Sequence, residues 1–263
     1  MPEGHTVHRI ALDHSKVLRG KRIAVSSPQR RFAADAALVD GVRLLGIEAY
    51  GKHLFYSWAN GLVGHVHLGL FGKFRVHRGT APIDAPTVRM RLAVPKATID
   101  LTGPTDCAIG TAEDRDRIVQ RLGPDPLRED ADPQRAFESI ARRVAPIGQL
   151  LLEQKVMSGV GNVYRAEALF ATGMHPNRPG RAITPEAFAG LWTTVVTMLR
   201  QGVVDDRIIT LDRDEYELPS GRTRRGETTY VYHRDLCLRC GTPILTVDLG
   251  GRPCYYCPVC QPD

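Results

Sequence analysis

Apolar positions recur at Val7, Ile10, Ala11, Val17 and Leu18 across residues 4–19. That three-to-four spacing predicts a helix with one buried face, and Gly20 supplies the stop. Beyond Arg22 the period shortens. Runs rich in Val, Ile, Leu and Phe follow at Val42–Ala49, His53–Trp58, Gly64–Leu70, Lys73–His77 and Val88–Val94, the last alternating as Val-Arg-Met-Arg-Leu-Ala-Val. Turn formers such as Asn60-Gly61 and Arg78-Gly79 separate them, so residues 22–101 are predicted to form a mostly antiparallel β domain. Arg121-Leu-Gly-Pro-Asp-Pro-Leu127, with two prolines and a glycine, reads as a linker. The period then lengthens, predicting helices over Pro133–Ala145, Ile147–Met157, Asn162–Thr172 and Pro185–Gln201, with a break at Ser158-Gly-Val-Gly161. Residues 205–228 are polar, carry Arg222, Arg224 and Arg225, and are expected to form a mobile basic loop.

Composition narrows the class. With 263 residues, 43% of them hydrophobic and 24% charged, the chain can bury a full core. This excludes a disordered tail, a collagen-like rod and a disulfide-dense miniprotein. Thirty-five Lys and Arg against 29 Asp and Glu give a net charge of +6, which suits an anionic partner such as nucleic acid. No run of about 18 apolar residues is present, so no membrane-spanning helix is expected. Glu3, Arg9, Asp13, Lys16 and Arg19 interrupt any signal-peptide core, and the chain is expected in the cytoplasm.

Five of the six cysteines crowd into the last 27 residues. Cys237-Leu-Arg-Cys240 and Cys257-Pro-Val-Cys260 are C-x2-C pairs separated by sixteen residues, the spacing of a structural zinc ribbon. Each pair sets two thiolates on one turn, and two turns complete a closed tetrahedral shell for one Zn2+ that folds the module and takes no part in catalysis. Cys254 fits neither pair and is left out of the ligand set. Between the pairs, Leu249-Gly-Gly-Arg252 resembles a hairpin tip that presents a guanidinium fork to a phosphate, although a solvated arginine would look the same.

Two further features carry chemistry. Gly159-Val-Gly161-Asn162 joins two helices, and its consecutive amides, with Asn162 as N-cap, would form an anion-binding concavity; glycine turns also join helices for steric reasons alone. The chain opens Met1-Pro2-Glu3-Gly4. With Met1 removed, Pro2 becomes a terminal secondary amine able to attack a sugar C1′ and form an iminium, with the Glu3 carboxyl alongside to move protons. Two residues alone do not distinguish this from an ordinary terminus.

Taken together, Met-Pro-Glu-Gly, Gly51-Lys52-His-Leu-Phe, Leu122-Gly-Pro-Asp-Pro-Leu, Gln154 with Gly159-Val-Gly-Asn-Val-Tyr-Arg-Ala-Glu-Ala-Leu169, and the terminal Gly-Gly-Arg-x3-Tyr-Cys-Pro-x-Cys-Gln resemble the formamidopyrimidine-DNA glycosylase and endonuclease VIII family, in its order and spacing from residue 2 to 261. The resemblance implies an α+β multidomain fold: an N-terminal antiparallel β-sandwich with an N-terminal helix, a helix–two-turn–helix domain and a C-terminal zinc finger. The corresponding boundaries are 1–115 for the catalytic sandwich, 116–130 for a linker, 131–228 for the DNA-binding helices and 229–263 for the finger.

It further implies a bifunctional DNA glycosylase/AP lyase of base-excision repair that nicks by β,δ-elimination. Pro2 would be the nucleophile, Glu3 the acid/base that opens the sugar, and Lys52 a proton donor. Arg252 would hold the lesion's phosphate and assist δ-elimination, and Asn162 would hold the same phosphate. Arg121 would be another phosphate contact. Leu70 and Phe71, between Gly69 and Gly72, are placed like the wedge that fills the gap left by an extruded base, or else are hairpin core. The partner is damaged DNA, double-stranded or single-stranded, bound by a monomer associated with the nucleoid. Met-Pro-Glu-Gly resembles the endonuclease VIII branch, which implies oxidised pyrimidines; Thr6 departs from the family's usual glutamate. A catalytically silent lesion binder and a zinc-ribbon RNA-associated protein are the competing classes. The former has no need of a terminal proline, and the latter leaves the N-terminal motif unexplained.

Overall fold

The computed structural model describes residues 2–79, 81–82, 85–218 and 226–263. Arg222, Arg224 and Arg225, the centre of the expected basic loop, lie outside them. The chain divides into two compact units, residues 1–3 with 7–121, and residues 4–6 with 122–263.

Helix α1 (Gly4–Leu18), which belongs to the first unit from Val7 onward, is followed by β1 (Ala24–Ser26) and α2 (Ala33–Val39). The strands β2 (Leu44–Tyr50), β3 (His53–Trp58), β4 (Val63–His67), β5 (Lys73–Arg78), β6 (Val88–Val94), β7 (Ala97–Thr102) and β8 (Asp106–Gly110) come next, then α3 (Ala112–Gln120). They build two four-stranded antiparallel sheets, ordered β2-β3-β4-β8 and β1-β6-β7-β5. Strand β6 behaves as its alternation predicts. Val88, Met90, Leu92 and Val94 face inward and the intervening residues face out. Leu54, Tyr56 and Val66 from one sheet meet Leu92, Ile99 and Leu101 from the other in a single core, which Val7, Ala11 and Leu18 of α1 join. This is a β-sandwich.

The expected strand Gly64–Leu70 ends at His67, because Gly69 has φ of 63° and turns the chain out of the sheet. Helix α3 carries no apolar stripe that would announce it; a capping box between Thr111 and Asp114 starts it instead.

His14 on α1 is buried, and its Nδ1 lies 2.8 Å from the Tyr56 hydroxyl. Burial depresses its pKa to about 4. The folded state therefore binds a proton less readily than the unfolded chain, so stability is full above the ordinary histidine value near 6.5 and falls as pH drops toward 4. Replacing His14 with Gln should flatten that acid limb by about 3 kcal/mol, the equivalent of the shift. Chemical denaturation of wild type and variant at pH 4 and pH 7 reads it directly.

The second unit holds α4 (Pro133–Ala141), α5 (Ile147–Leu150), α6 (Asn162–Ala171), α7 (Pro185–Asp205) and the hairpin β9 (Leu245–Asp248)–β10 (Pro253–Tyr256). Its main core joins Ile140, Leu150, Val160, Leu169, Leu191 and Val195. The helix expected over Ile147–Met157 stops at Leu150. The Gln154 side chain explains the turns that follow, donating to the carbonyls of Leu152 and Val160 and accepting from the Gly159 amide. Among the described residues, no helix is long and apolar enough to cross a membrane.

Candidate active site and metal centre

Pro2 is half-buried and Glu3 fully buried, and Glu3 caps α1 from an extended conformation. Thr6, where the family more often has glutamate, places its hydroxyl 3.1 Å from His5 Nε2. Within the second unit, the Gly4 amide donates to the Gly159 carbonyl at 2.8 Å. A Cβ at Gly4 would lie 2.9 Å from Gly159 Cα, so the approach depends on glycine.

In the first unit Lys52 occupies the tight turn between β2 and β3, following Gly51 at φ 57°. Three histidines surround that turn. His53 Nδ1 lies 2.9 Å from His65 Nε2, and the His53 and His67 rings are 4.8 Å apart. Burial holds all three below their usual pKa, His53 at about 3 and His65 at about 4, with the Lys52 charge adding to the depression of His53 and His67. At neutral pH the cluster is uncharged beside the Lys52 ammonium. Leu70 and Phe71 are 59% and 80% exposed, which removes the reading of both as hairpin core. Arg121 is exposed at the end of α3, where its Nε donates to the Arg117 carbonyl.

In the second unit Gly161, not Asn162, is the N-cap of α6, and Asn162 is the first helical residue. The Asn162 side chain therefore serves tertiary structure. Nδ2 donates to the Pro253 carbonyl at 3.0 Å and Oδ1 accepts from Arg165. Arg252 is exposed on the turn between β9 and β10, which runs through Gly250 and Gly251 at φ 66° and 70°. Asn162 and Arg252 thus meet through the hairpin backbone.

Arg165 makes that junction. Its guanidinium is fully buried and donates to the carbonyls of Gly148 and Leu249, at 3.0 and 2.9 Å, and of Pro253 and Arg252, at 3.1 and 3.3 Å. It clamps both sides of the Arg252 turn to α5 and α6. Glu167 does the same for the neighbouring segment, accepting from the amides of Tyr230, Val231 and Tyr232 at 2.7–2.9 Å and from the Thr210 hydroxyl at 2.5 Å. Burial raises its pKa and the four donors offset part of that rise. Neither residue was singled out from sequence. The usable signal was two charges set among Val163, Tyr164, Ala166, Ala168 and Leu169, a helix too apolar to be solvated around its whole circumference. Substituting Arg165 with Ala strands several buried carbonyls and the Asn162 amide. A loss of about 3–5 kcal/mol is expected, measured by denaturation of the full chain.

The sulfurs of Cys237, Cys240, Cys257 and Cys260 all lie within 4.8 Å of one another. Separations of 3.8 Å (Cys237–Cys260), 3.5 Å (Cys240–Cys257) and 3.6 Å (Cys240–Cys260) lie at or just below the ~3.8 Å edge of a tetrahedron with Zn–S bonds of about 2.3 Å. Four closely grouped thiols fit one metal ion, and no fifth ligand position is needed. Cys254 is buried in the helical core, apart from this group, and burial raises its pKa. The knuckle is docked by Gln261, whose Oε1 accepts from the Cys257 amide and whose Nε2 donates to the Met174 carbonyl.

Residues 1–105 match the formamidopyrimidine-DNA glycosylase N-terminal domain, and residues 122–213 match the formamidopyrimidine-DNA glycosylase H2TH domain. The chain is 45% identical to "Endonuclease 8 1" of Mycobacterium tuberculosis over 99% of its own length and 100% of the relative's. It is 31% identical to the formamidopyrimidine-DNA glycosylase of Thermus thermophilus over 86% and 85% of the two chains. The crystal structure of the MutM (Fpg) protein from Thermus thermophilus superimposes with a TM-score of 0.79 at 28% identity, covering 99% of this chain and 98% of that one. Lactococcus lactis Fpg in complex with DNA containing an abasic site shares the fold, with a TM-score of 0.82 at 20% identity and coverage of 99% and 100%. The sandwich, the helical domain, the four-cysteine cluster and near full-length identity converge: this chain belongs to the formamidopyrimidine-DNA glycosylase/endonuclease VIII family, the DNA glycosylase/AP lyases of base-excision repair.

Proposed function

We propose that this chain removes oxidised pyrimidines from DNA through a Schiff base, a charged iminium, on Pro2 and nicks the strand by β,δ-elimination. The observation that carries the reading is the pairing of Pro2 with the fully buried carboxyl of Glu3 in a chain of this family. The 45% identity to a relative named endonuclease 8, against 31% to a formamidopyrimidine-DNA glycosylase, supports the pyrimidine branch.

In this mechanism, with Met1 removed, the free Pro2 amine attacks C1′ of the lesion nucleotide, the C1′–N bond to the base breaks, and the base leaves with the proton that the amine gives up. Glu3 protonates the ring oxygen, which opens the sugar and gives an iminium to Pro2. The iminium acidifies the C2′ proton. Its removal expels the 3′ phosphate, and a second elimination expels the 5′ phosphate. Lys52 supplies protons to departing oxygens, aided by the uncharged histidines around it, which add no competing charge. Arg252 and Asn162 hold the lesion's phosphate, Asn162 through the second Nδ2 hydrogen beside the one given to the Pro253 carbonyl, Arg121 holds a further one, and Leu70 with Phe71 fills the vacated stack. The exposure of Leu70 and Phe71 supports that last role. Cys237, Cys240, Cys257 and Cys260 would hold one Zn2+, whose chemistry is structural: it crosslinks the module that carries the Arg252 turn. The proposed working unit is a monomer divided at residues 115, 130 and 228, acting on nucleoid DNA in the cytoplasm.

Borohydride trapping on an oligonucleotide with a single abasic site tests the reading. A covalent adduct with the wild-type chain is expected. Tight binding to that DNA without an adduct would establish a silent lesion binder instead.

A further inference from the structure

The outer face of the β1-β6-β7-β5 sheet carries an alternation that the lesion chemistry does not use. On β5, Lys73, Arg75 and His77 point away from the core, and on β6 Arg89 and Arg91 do the same. Lys73, Arg75, His77 and Arg89, together with Arg31, line an open groove of about 660 Å³. Its floor is organised around Asp100, 4% exposed, which accepts from Arg91 Nε and Nη2 at 2.6 and 2.8 Å and lies 3.1 Å from His77 Nε2. Arg75 sits directly across the sheet from Asp100. The carboxylate is already committed to Arg91 and His77, however, and no ion pair among the described residues engages Arg31, Lys73, Arg75 or Arg89.

Four cations around one concavity, none ion-paired among the described residues, repel each other, and an anion relieves that repulsion. We propose that this groove is an accessory track for the phosphodiester backbone of DNA outside the lesion, resting on the assignment of DNA as the substrate. Three features select a polyanionic strand. First, Lys73 and Arg75 stand two apart on one strand, about 6.8 Å between Cα atoms, and so present a row of cations along β5 that a line of phosphates can follow. Second, the cationic lining lacks the buried aromatic anchors of a protein interface. Third, the groove is continuous with the exposed wedge loop: Lys73 follows Phe71 by two residues, and a Cβ on Gly103, at the groove edge, would lie 3.1 Å from the Phe71 carbonyl.

The test measures binding of the full-length chain to two duplexes that each carry one abasic-site analogue, one barely longer than the lesion's immediate surroundings and one extended on both sides. Wild type should bind the extended duplex more tightly. In the combined variant Lys73→Gln, Arg75→Gln, Arg89→Gln that gain should disappear, while affinity for the short duplex and imine trapping on it stay at wild-type levels. For two lost contacts, the weakening between 50 and 200 mM salt should shrink about tenfold. Because Arg89 is half-buried, the exposed pair Lys73→Gln, Arg75→Gln is tested alongside and should move the same way with an unchanged melting temperature.

A length gain retained in both variants overturns the proposal. Equal losses on short and extended duplexes also overturn it, by assigning these residues to the lesion site. Displacement of DNA by polyglutamate as effectively as by undamaged duplex would overturn it in favour of an acidic protein partner. A wild-type chain that binds neither duplex removes the DNA assignment itself.

Discussion

Pro2→Gly, and separately an N-terminal extension that converts the Pro2 nitrogen into an amide, are expected to abolish the borohydride-trapped adduct, a loss of about 10³-fold or more. An amide nitrogen has no available lone pair for C1′. Glycine keeps an amine but loses the ring that makes it secondary, and a secondary amine can give only the charged iminium that serves as electron sink. The amine must be unprotonated to attack, so trapping in the wild type should rise with pH through about 8, the ordinary range of a terminal amine. An intact adduct in both variants would transfer the nucleophile to a lysine. Lys52, on its turn beside the neutral histidines, would be first.

Removing the proposed Zn2+ is the second large perturbation. Structural zinc contributes about 10–16 kcal/mol in isolated finger peptides, so little of the four-cysteine module should persist without it. Cys257 is fully buried and packs with Phe170 of α6, Leu211, Tyr230 and Val231. Cys257→Ser should therefore loosen the β9–β10 hairpin and weaken the apolar contact with α6. The Arg252 turn lies on that hairpin, so DNA affinity should fall by at least 100-fold, while hydrogen exchange across the β-sandwich of residues 7–121 stays protected. Denaturing the wild type should release one zinc per chain. Release of none, or an unaltered exchange pattern around residues 245–256 after chelation, would refute the structural role.

Much of this protein is legible locally. The alternation at Val88–Val94 and the helical period of α1 and α7 state which face is buried, since each depends only on a residue's neighbours along its own element. The cysteine spacing likewise announces its cluster, because two turns of fixed geometry suffice to hold four thiols.

Other features needed the fold. Ile147–Met157 has a helical period yet forms one short turn, because the Gln154 side chain satisfies backbone groups that a longer helix would have used. Asn162 looked like a cap and proved to be a tie to the Arg252 hairpin, 91 residues away. Arg165 and Glu167 stand in an unremarkable helix sequence, and only long-range packing shows that their charges are buried and hold segments 84 and 63–65 residues distant. The basic groove has the same origin. Lys73 and Arg75 on β5 and Arg89 on β6 are ordinary surface charges until antiparallel pairing of both strands with β7 sets them around one concavity, with the nearby carboxylate already taken. Elements and ligand spacings follow from short-range periodicity and turn chemistry; which charges are paired, buried or left facing an anion is settled by the registers that bring distant strands and helices together.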